Sequence, residues 1–357
     1  MKLQQESPEV VVALARRRRR GRLAVVGTAA VLGAVVLLSI GTGPVGVPPG
    51  TVARILAAHL LPGEHEATWT AAQDQIVWSF RLPRVLMAVL VGASLAVVGA
   101  LLQAIVRNPL ADPYVLGASS GAALGAVGAL ALGASVPGLL VSGSAFGGAA
   151  VAGVIVYVLA SRGGRIESLR LVLAGVALSY LFSAATGWIT ATADHGRLPG
   201  LLFFLLGSIS SATWEMLTLP AIALVLGLAY ALRRASHLDA AMTGDETAAS
   251  LGVDMTRLRV EVLVVTAAMT GAVVAVAGGI GFVGMVVPHV CRLLVGASHR
   301  VLLPFATVAG ALLVVLVDTV ARTAASPREI PLGVVTALVG APFFLWLLRT
   351  RPVGAER

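Results

Sequence analysis

The chain has 357 residues, 57% of them apolar and only 12% charged, with a mean hydropathy of +0.92. A soluble domain carries about 25% charged residues, so a soluble enzyme, a disordered protein and a nucleic-acid binder are excluded. The net charge of +9 fits this, because six of the 26 basic residues sit together at Arg16–Arg20 and Arg22, directly before an apolar segment. A block so placed holds that end of a span in the cytoplasm.

In chain order, apolar runs fall at 23–41, 82–104, 114–135, 138–160, 169–191, 214–232, 260–278, 280–297, 301–322 and 331–348. A membrane helix needs about 20 such residues. The expected fold is an all-α integral membrane protein of about ten transmembrane helices. It divides into a basic cytoplasmic tail at 1–22, a membrane domain at 23–350 and a second tail at 351–357. The first run is long for a signal-peptide core and lacks an A-x-A-like cleavage site, so it is expected to be retained. Only Gly278 and Gly279 separate the seventh run from the eighth. With the N-terminus inside, Arg54, Arg81, Arg84, Arg197, Arg322 and Arg328 fall outside and the other 20 basic residues inside. That bias predicts both termini in the cytoplasm.

Two connections exceed simple turns. Residues 42–81 lie outside and contain an amphipathic piece, Thr51 to Leu61. Residues 233–259 lie inside. There Asp245 and Glu246 after Gly244 suit a helix N-terminus and Gly252 suits its end, which predicts a short polar helix facing water or a partner. An offset of 179 pairs Gly92-Ala93 with Gly271-Ala272, Ala96 with Ala275, Gly99 with Gly278, Pro109 with Pro288 and Gly117 with Gly296. In this topology the two copies run in opposite directions, an inverted repeat of the transporter kind.

Chemistry is constrained by what the chain can assemble. Cys291 is its one cysteine, so an intrachain disulfide and a cysteine metal site are excluded. Lys2 is its one lysine and lies ahead of the basic block, so no P-loop can be written and any ATP must be bound by another chain. Gly279-Ile-Gly-Phe-Val-Gly284 fits a dinucleotide fingerprint, but it sits at a span and position 299 is His rather than an acid. It reads as close helix packing. Gly117-Ala-Ser-Ser-Gly121 fits a nucleophile elbow, which needs a strand–turn–helix. An intramembrane serine hydrolase with Ser119 and His289 is the enzymatic alternative to a small-residue ladder of Gly117, Gly121 and Gly125. His289 and Arg292 share one helical face and are polar-in-span candidates, although His289 follows Pro288 and also suits packing or a cap.

Several strings occur in order: Arg81-Leu-Pro-Arg84; Gly99, Gln103 and Arg107-Asn-Pro-Leu-Ala-Asp-Pro113; Leu116-Gly117; Gly279–Gly284; Val287-Pro-His-Val-Cys-Arg292; His299-Arg300; Leu303-Pro304; Asp318 to Arg322; Glu329-Ile-Pro-Leu-Gly333; and Gly340-Ala-Pro342. The sequence from about 75 to 350 resembles the FecCD family of ABC-transporter permeases, whose members import iron–siderophore complexes, haem and vitamin B12. The basic N-terminal block lies outside the resemblance.

The resemblance implies a ten-span subunit of a prokaryotic plasma (inner) membrane, paired with an identical or related permease, the path lying between them. Two cytoplasmic ATP-binding subunits drive it, an extracytoplasmic binding protein delivers a metal chelate, and neither cofactor nor resident metal is implied. The loop at 233–259 is then the ATPase coupling element, with Gly244, Asp245, Glu246, Ala249, Leu251, Gly252 and Val253. Arg81, Arg84 and Arg322 match positions that receive acids of the binding protein. Their alternative roles are snorkelling for Arg81 and Arg84 and a helical pair with Asp318 for Arg322.

The fifth span lines the path by resemblance, and Ser179, Ser183 and Thr186 are spaced 4 and 3 apart along it. Such a weakly polar stripe suits a bulky chelate; bare Fe³⁺ would want hard oxygen donors. The hydroxyls could equally bond their own helix backbone. The expected cargo is a ferric siderophore, with haem or cobalamin as the alternative. An ion-coupled secondary transporter is the rival, and needs a mid-membrane acid.

Overall fold

The computed structural model describes residues 8–350 apart from 64–67, 114–116, 135–138, 163, 164, 167 and 327, and leaves out the side chains of 8–20, 139, 162, 165, 166, 168, 347, 348 and 350. The predicted tail at 351–357, Lys2, Leu116 and the side chains of Arg16–Arg20 thus lie outside the described residues.

The chain folds into helices α1 (Pro8–Gly41), α2 (Pro49–Leu60), α3 (Ala71–Asp74), α4 (Leu82–Val106), α5 (Ala118–Ala131), α6 (Leu139–Ala160), α7 (Ser168–Thr192), α8 (Leu198–Leu205), α9 (Thr218–Arg233), α10 (Ala235–Ala241), α11 (Asp245–Ser250), α12 (Met255–Ala277), α13 (Val283–Val295), α14 (His299–Thr323) and α15 (Leu332–Thr350). A two-residue antiparallel pairing, Ser161–Arg162 with Arg165–Ile166, joins α6 to α7.

Among the described residues, 7 helical stretches are long and apolar enough to cross a membrane: Gly21–Gly41, Ala71–Val106, Leu140–Ala160, Leu169–Thr192, Glu215–Arg233, Met255–Ala277 and His299–Thr323. Three shorter apolar helices, Ala118–Ala131, Val283–Val295 and Leu332–Trp346, fall on the third, eighth and tenth predicted runs. Helix α1 starts at Pro8, inside the predicted tail, α5 ends at Ala131 and α12 starts at Met255, ahead of the seventh run; two further shifts have a local cause. The second run starts early, because a π-helical segment, Gln75–Arg81, fuses α3 to α4 and turns the end of the predicted outer loop into helix. The third starts late, because Gly117 caps α5 in a left-handed conformation with φ 78°. The short helix α8 was not expected at all; eight residues cannot register as a span.

The core is built around α4 and α12, whose apolar windows are 83% and 72% buried. Glycine sets the contacts. A Cβ on Gly92 would lie 2.1 Å from the Gly310 carbonyl oxygen, and one on Gly99 would lie 1.8 Å from that of Gly284. On α5, Cβ atoms at Gly121 and Gly125 would meet the carbonyls of Gly148 and Ser144 at 2.4 and 1.9 Å. The G-x-S-x-G string is therefore a helix–helix contact, with Ser119 on a helix and 1% exposed.

The predicted repeat is visible in part. Arg107 caps the C-terminus of α4 and Arg259 lies near the N-terminus of α12, and both approach Asp245, so the two central helices run antiparallel. Gly117 and Gly296 both take positive φ, 78° and 92°. The proline pair does not match: Pro109 lies in the turn after α4, whereas Pro288 lies inside α13.

Three irregular stretches cross between helices. Ser208 N–H donates to the Ala277 carbonyl (2.9 Å), Leu332 N–H to Gly207 (2.9 Å) and Gly333 N–H to Leu206 (3.1 Å). Backbone outside helices is tolerated inside a membrane protein when it is satisfied in this way. Glycine is required at the crossing: Gly278, at φ 64°, would carry a Cβ 1.9 Å from the Phe204 carbonyl oxygen.

Candidate functional site

At one end of the molecule α10 and α11 form the predicted inner loop. Gly244 (φ 116°) and Gly252 (φ 81°) bracket α11, as the sequence reading expected. Asp245 accepts from Arg259 Nη2 at 3.0 and 3.1 Å and lies 3.4 Å from Arg107 Nη2. The short helix is thereby tied to α4 and α12 at once. Asp254 caps α12 by accepting from Arg257 N–H at 2.9 Å. Arg234, Arg257 and Tyr230 converge on Glu261 at 2.8, 3.0 and 3.2 Å.

Asp239 of α10 accepts from His299 backbone N–H (2.8 Å), lies 2.6 Å from His299 Nδ1 and accepts from the Ser298 hydroxyl (3.3 Å). Burial alone would raise the Asp239 carboxyl, but these hydrogen bonds hold it below the usual carboxylate range. The loop is thus anchored to α14 as well. Its outward surface is Glu246, Ala249, Leu251 and Gly252, all exposed, with Leu251 at 66%. Of the other predicted coupling residues, Gly244 and Asp245 are half-buried and Val253 is buried; these three shape and anchor the helix.

At the opposite end the three outer arginines turn inward. Arg84 Nε donates to Asp318 Oδ1 at 2.9 Å, and its Nη1 donates to both Glu329 carboxylate oxygens at 2.8 and 3.0 Å. Arg322 donates to the Ser39 carbonyl at 2.6 Å and to the Ser39 hydroxyl, and its Nε lies 3.6 Å from Asp318 Oδ2. Arg81 donates to the carbonyls of Ile40 (3.0 Å), Gly41 (3.1 Å) and Val45 (2.5 Å). The three residues are 8, 9 and 4% exposed in the order Arg81, Arg84, Arg322. They clamp the ends of α1, α4 and α14. Asp318, the acid a proton-coupled transporter would need, is committed to this clamp.

The predicted stripe on α7 does not present one surface. Ser183 is exposed, Ser179 half-buried and Thr186 only 6% exposed. The outward side of α7 also carries Tyr180 and Trp188, 76 and 73% exposed. Inside the bundle, Arg292 Nη1 donates to Gln103 Oε1 (3.0 Å) and Gln103 Nε2 to the Met285 carbonyl (3.0 Å), which joins α4 to α13. Sequence reasoning did not find Ser39, Arg107, Asp239, Arg259 or Glu329 as partners. Ser39, Arg107, Asp239 and Glu329 lie 60 or more positions from the group they meet, and Arg259 lies 14 from Asp245; nothing in the local sequence says which group each will meet. Among the described residues no group of three or more His, Cys, Asp or Glu side chains could hold a metal ion.

The chain can be set beside known proteins. The pattern of the FecCD transport family matches residues 31–350. A cobalamin import system permease of Halobacterium salinarum is 43% identical over 280 residues, 78% of this chain and 75% of that one. A hemin transport system permease of Yersinia pestis is 41% identical over 78% of this chain and 86% of its own length. An Fe(3+)-citrate import system permease of Bacillus subtilis is 42% identical over 79% and 84%. A solved metal-chelate type ABC transporter in an inward-facing conformation superposes with a TM-score of 0.79 at 32% identity, covering 92% of this chain and 99% of that one. With its apolar helices, its anchored inner loop and this match across nearly its whole length, the chain is a member of the FecCD transport family, the permeases of ABC importers.

Proposed function

We propose that this chain is the membrane subunit through which a ferric siderophore enters a prokaryotic cell across its inner membrane. In this reading the chain spans the membrane ten times with both termini inside and pairs with a second permease. Two ATP-binding subunits dock on the inner face, and a binding protein docks on the outer face. The observation that carries the reading is α11. It is bolted to α4, α12 and, through α10, to α14, yet leaves Glu246, Ala249, Leu251 and Gly252 outward. A push on that surface would pass directly to the central helices. Docking outside would use Arg84 by exchange: an incoming carboxylate displaces Glu329, the exposed member of the clamp, while Arg81 and Arg322 keep the helix ends in place.

The siderophore reading draws on the neutral hydroxyls of α7, of which Ser183 is exposed and Ser179 half-buried; such groups compete weakly for a metal that its chelator already coordinates. The named relatives handle cobalamin, hemin and ferric citrate, so haem or cobalamin is the second reading. Proteoliposomes containing this permease, its ATPase and its binding protein test both. ATP-dependent uptake of a ferric siderophore, with none of cobalamin or haem, is the expected result. Uptake of haem or cobalamin alone would replace the cargo, and uptake driven by an ion gradient without ATPase would overturn the whole reading.

A further inference from the structure

We infer that the cavity between the end of α5, α8 and the connection from α8 to α9 is an entry site for metal chelates of net negative charge, with Arg197 selecting that charge. The inference rests on the import reading above and on its assignment of this end to the outside. The cavity holds about 500 Å³, within the range of about 300–1,000 Å³ typical of small-molecule sites. Phe203 and Phe204 supply apolar wall, Ser208, Ser210 and Ser211 supply hydroxyls, and Arg197 is the one charged residue of the described lining.

Arg197 is held but not neutralised. Its Nη1 donates to the Ala131 carbonyl at the end of α5, and Gly133 leaves it room, since a Cβ there would lie 3.3 Å from Nη2. The neighbouring carboxylate, Asp194, is 3.9 Å away with its side chain 82% exposed. A pair so wet is weak, and the guanidinium remains open to a ligand. Ser210 N–H donates to Ser208 Oγ at 3.2 Å, and the two hydroxyls lie 3.0 Å apart. They stand side by side on the strapped backbone crossing at Gly207 and Gly278, so the hydroxyl side of the cavity is fixed before a ligand arrives.

The chemistry selects among chelates. A catecholate or carboxylate complex of Fe³⁺ keeps a net negative charge and offers paired oxygens to the guanidinium fork. A tris-hydroxamate complex is neutral and gains nothing from it. Haem carries carboxylates too, so it shares the recognised group. None of Ser179, Ser183 and Thr186 lines this cavity, so the selection by Arg197 is separate from the α7 hydroxyls.

The test uses Ser210→Cys in the full complex, since the native Cys291 is only 2% exposed. A membrane-impermeant maleimide is applied from outside, with ferric tris-catecholate, ferric citrate, a neutral ferric tris-hydroxamate, cobalamin or hemin as protectant. The anionic ferric chelates are expected to slow labelling about fivefold or more, the scale of one semi-exposed charge pair. The hydroxamate and cobalamin should leave it within about twofold, and Arg197→Gln should remove the protection while Arg197→Lys keeps part of it. No labelling from outside, protection by none, equal protection by neutral chelates, or protection surviving Arg197→Gln each overturns the inference. Protection by hemin alone, lost with Arg197→Gln, keeps the site and rejects the siderophore cargo. Failed protection alongside intact ferric-siderophore uptake rejects the site and leaves the import reading standing.

Discussion

Replacing Asp318 by alanine measures how the clamped ends of α1, α4 and α14 are held. The Asp318 side chain is 0% exposed and the side chain of its main partner Arg84 is 11% exposed. Truncation leaves the guanidiniums of Arg84 and Arg322 close together with one anion fewer. Removing one partner of a buried ion pair costs about 3–5 kcal/mol. Arg84 keeps Glu329, and Arg322 keeps Ser39, so the lower end, about 3 kcal/mol, is expected. Glu329→Ala removes a carboxylate whose side chain is 39% exposed, and should cost about 1 kcal/mol or less. An unfolding entropy of about 2.1 cal/mol/K per residue over 357 residues puts 1 kcal/mol at about 1.3 °C. The detergent-solubilised Asp318→Ala protein should therefore lose about 4 °C of apparent midpoint and Glu329→Ala about 1 °C. Both are read at one scan rate, because such unfolding is often irreversible. A loss for Glu329→Ala equal to or larger than that for Asp318→Ala would refute the assignment of Asp318 as the centre of the clamp.

Gly99→Ala should lower stability by about 1–3 kcal/mol, because its Cβ meets backbone rather than a movable side chain. Gly33→Ala, with nothing within 4 Å, should leave the midpoint unchanged or slightly raised; equal losses in a thermal scan would sink the glycine-contact account. Leu251→Asp should leave the midpoint unmoved and cut ATP-driven uptake and ATPase pull-down. Asp245→Ala should lower the midpoint as well, and a normal uptake rate in both would reduce the loop to a connection. The isolated chain in lipid should bind no nucleotide, since its one lysine, Lys2, precedes the basic block. Saturable ATP binding in equilibrium dialysis would contradict that expectation.

Much of the architecture was legible without coordinates. Apolar runs of about 20 residues with little charge point to membrane helices, which satisfy the backbone within themselves, and the seven long and three shorter apolar helices among the described residues fall on those runs. The cap of α11 was legible too, because Gly244, Asp245, Glu246 and Gly252 act on their own turn of backbone. The π-helical entry to α4 and the short α8 were not. The first is a local slip in hydrogen bonding inside apolar sequence, and the second is too short for any span rule. The facing of Ser179, Ser183 and Thr186 was likewise hidden, since the spacing that aligns them on α7 does not say which neighbours cover each. The alternation of spans put Arg81, Arg84 and Arg322 outside and the resemblance gave them a docking role, but only the tertiary structure decided what they touch. Arg84 meets a residue 234 positions away and Arg322 one 283 positions away. Such pairs form because helices packed through glycine bring chain-distant polar groups together where water is scarce, and a charge there must find its partner within the protein.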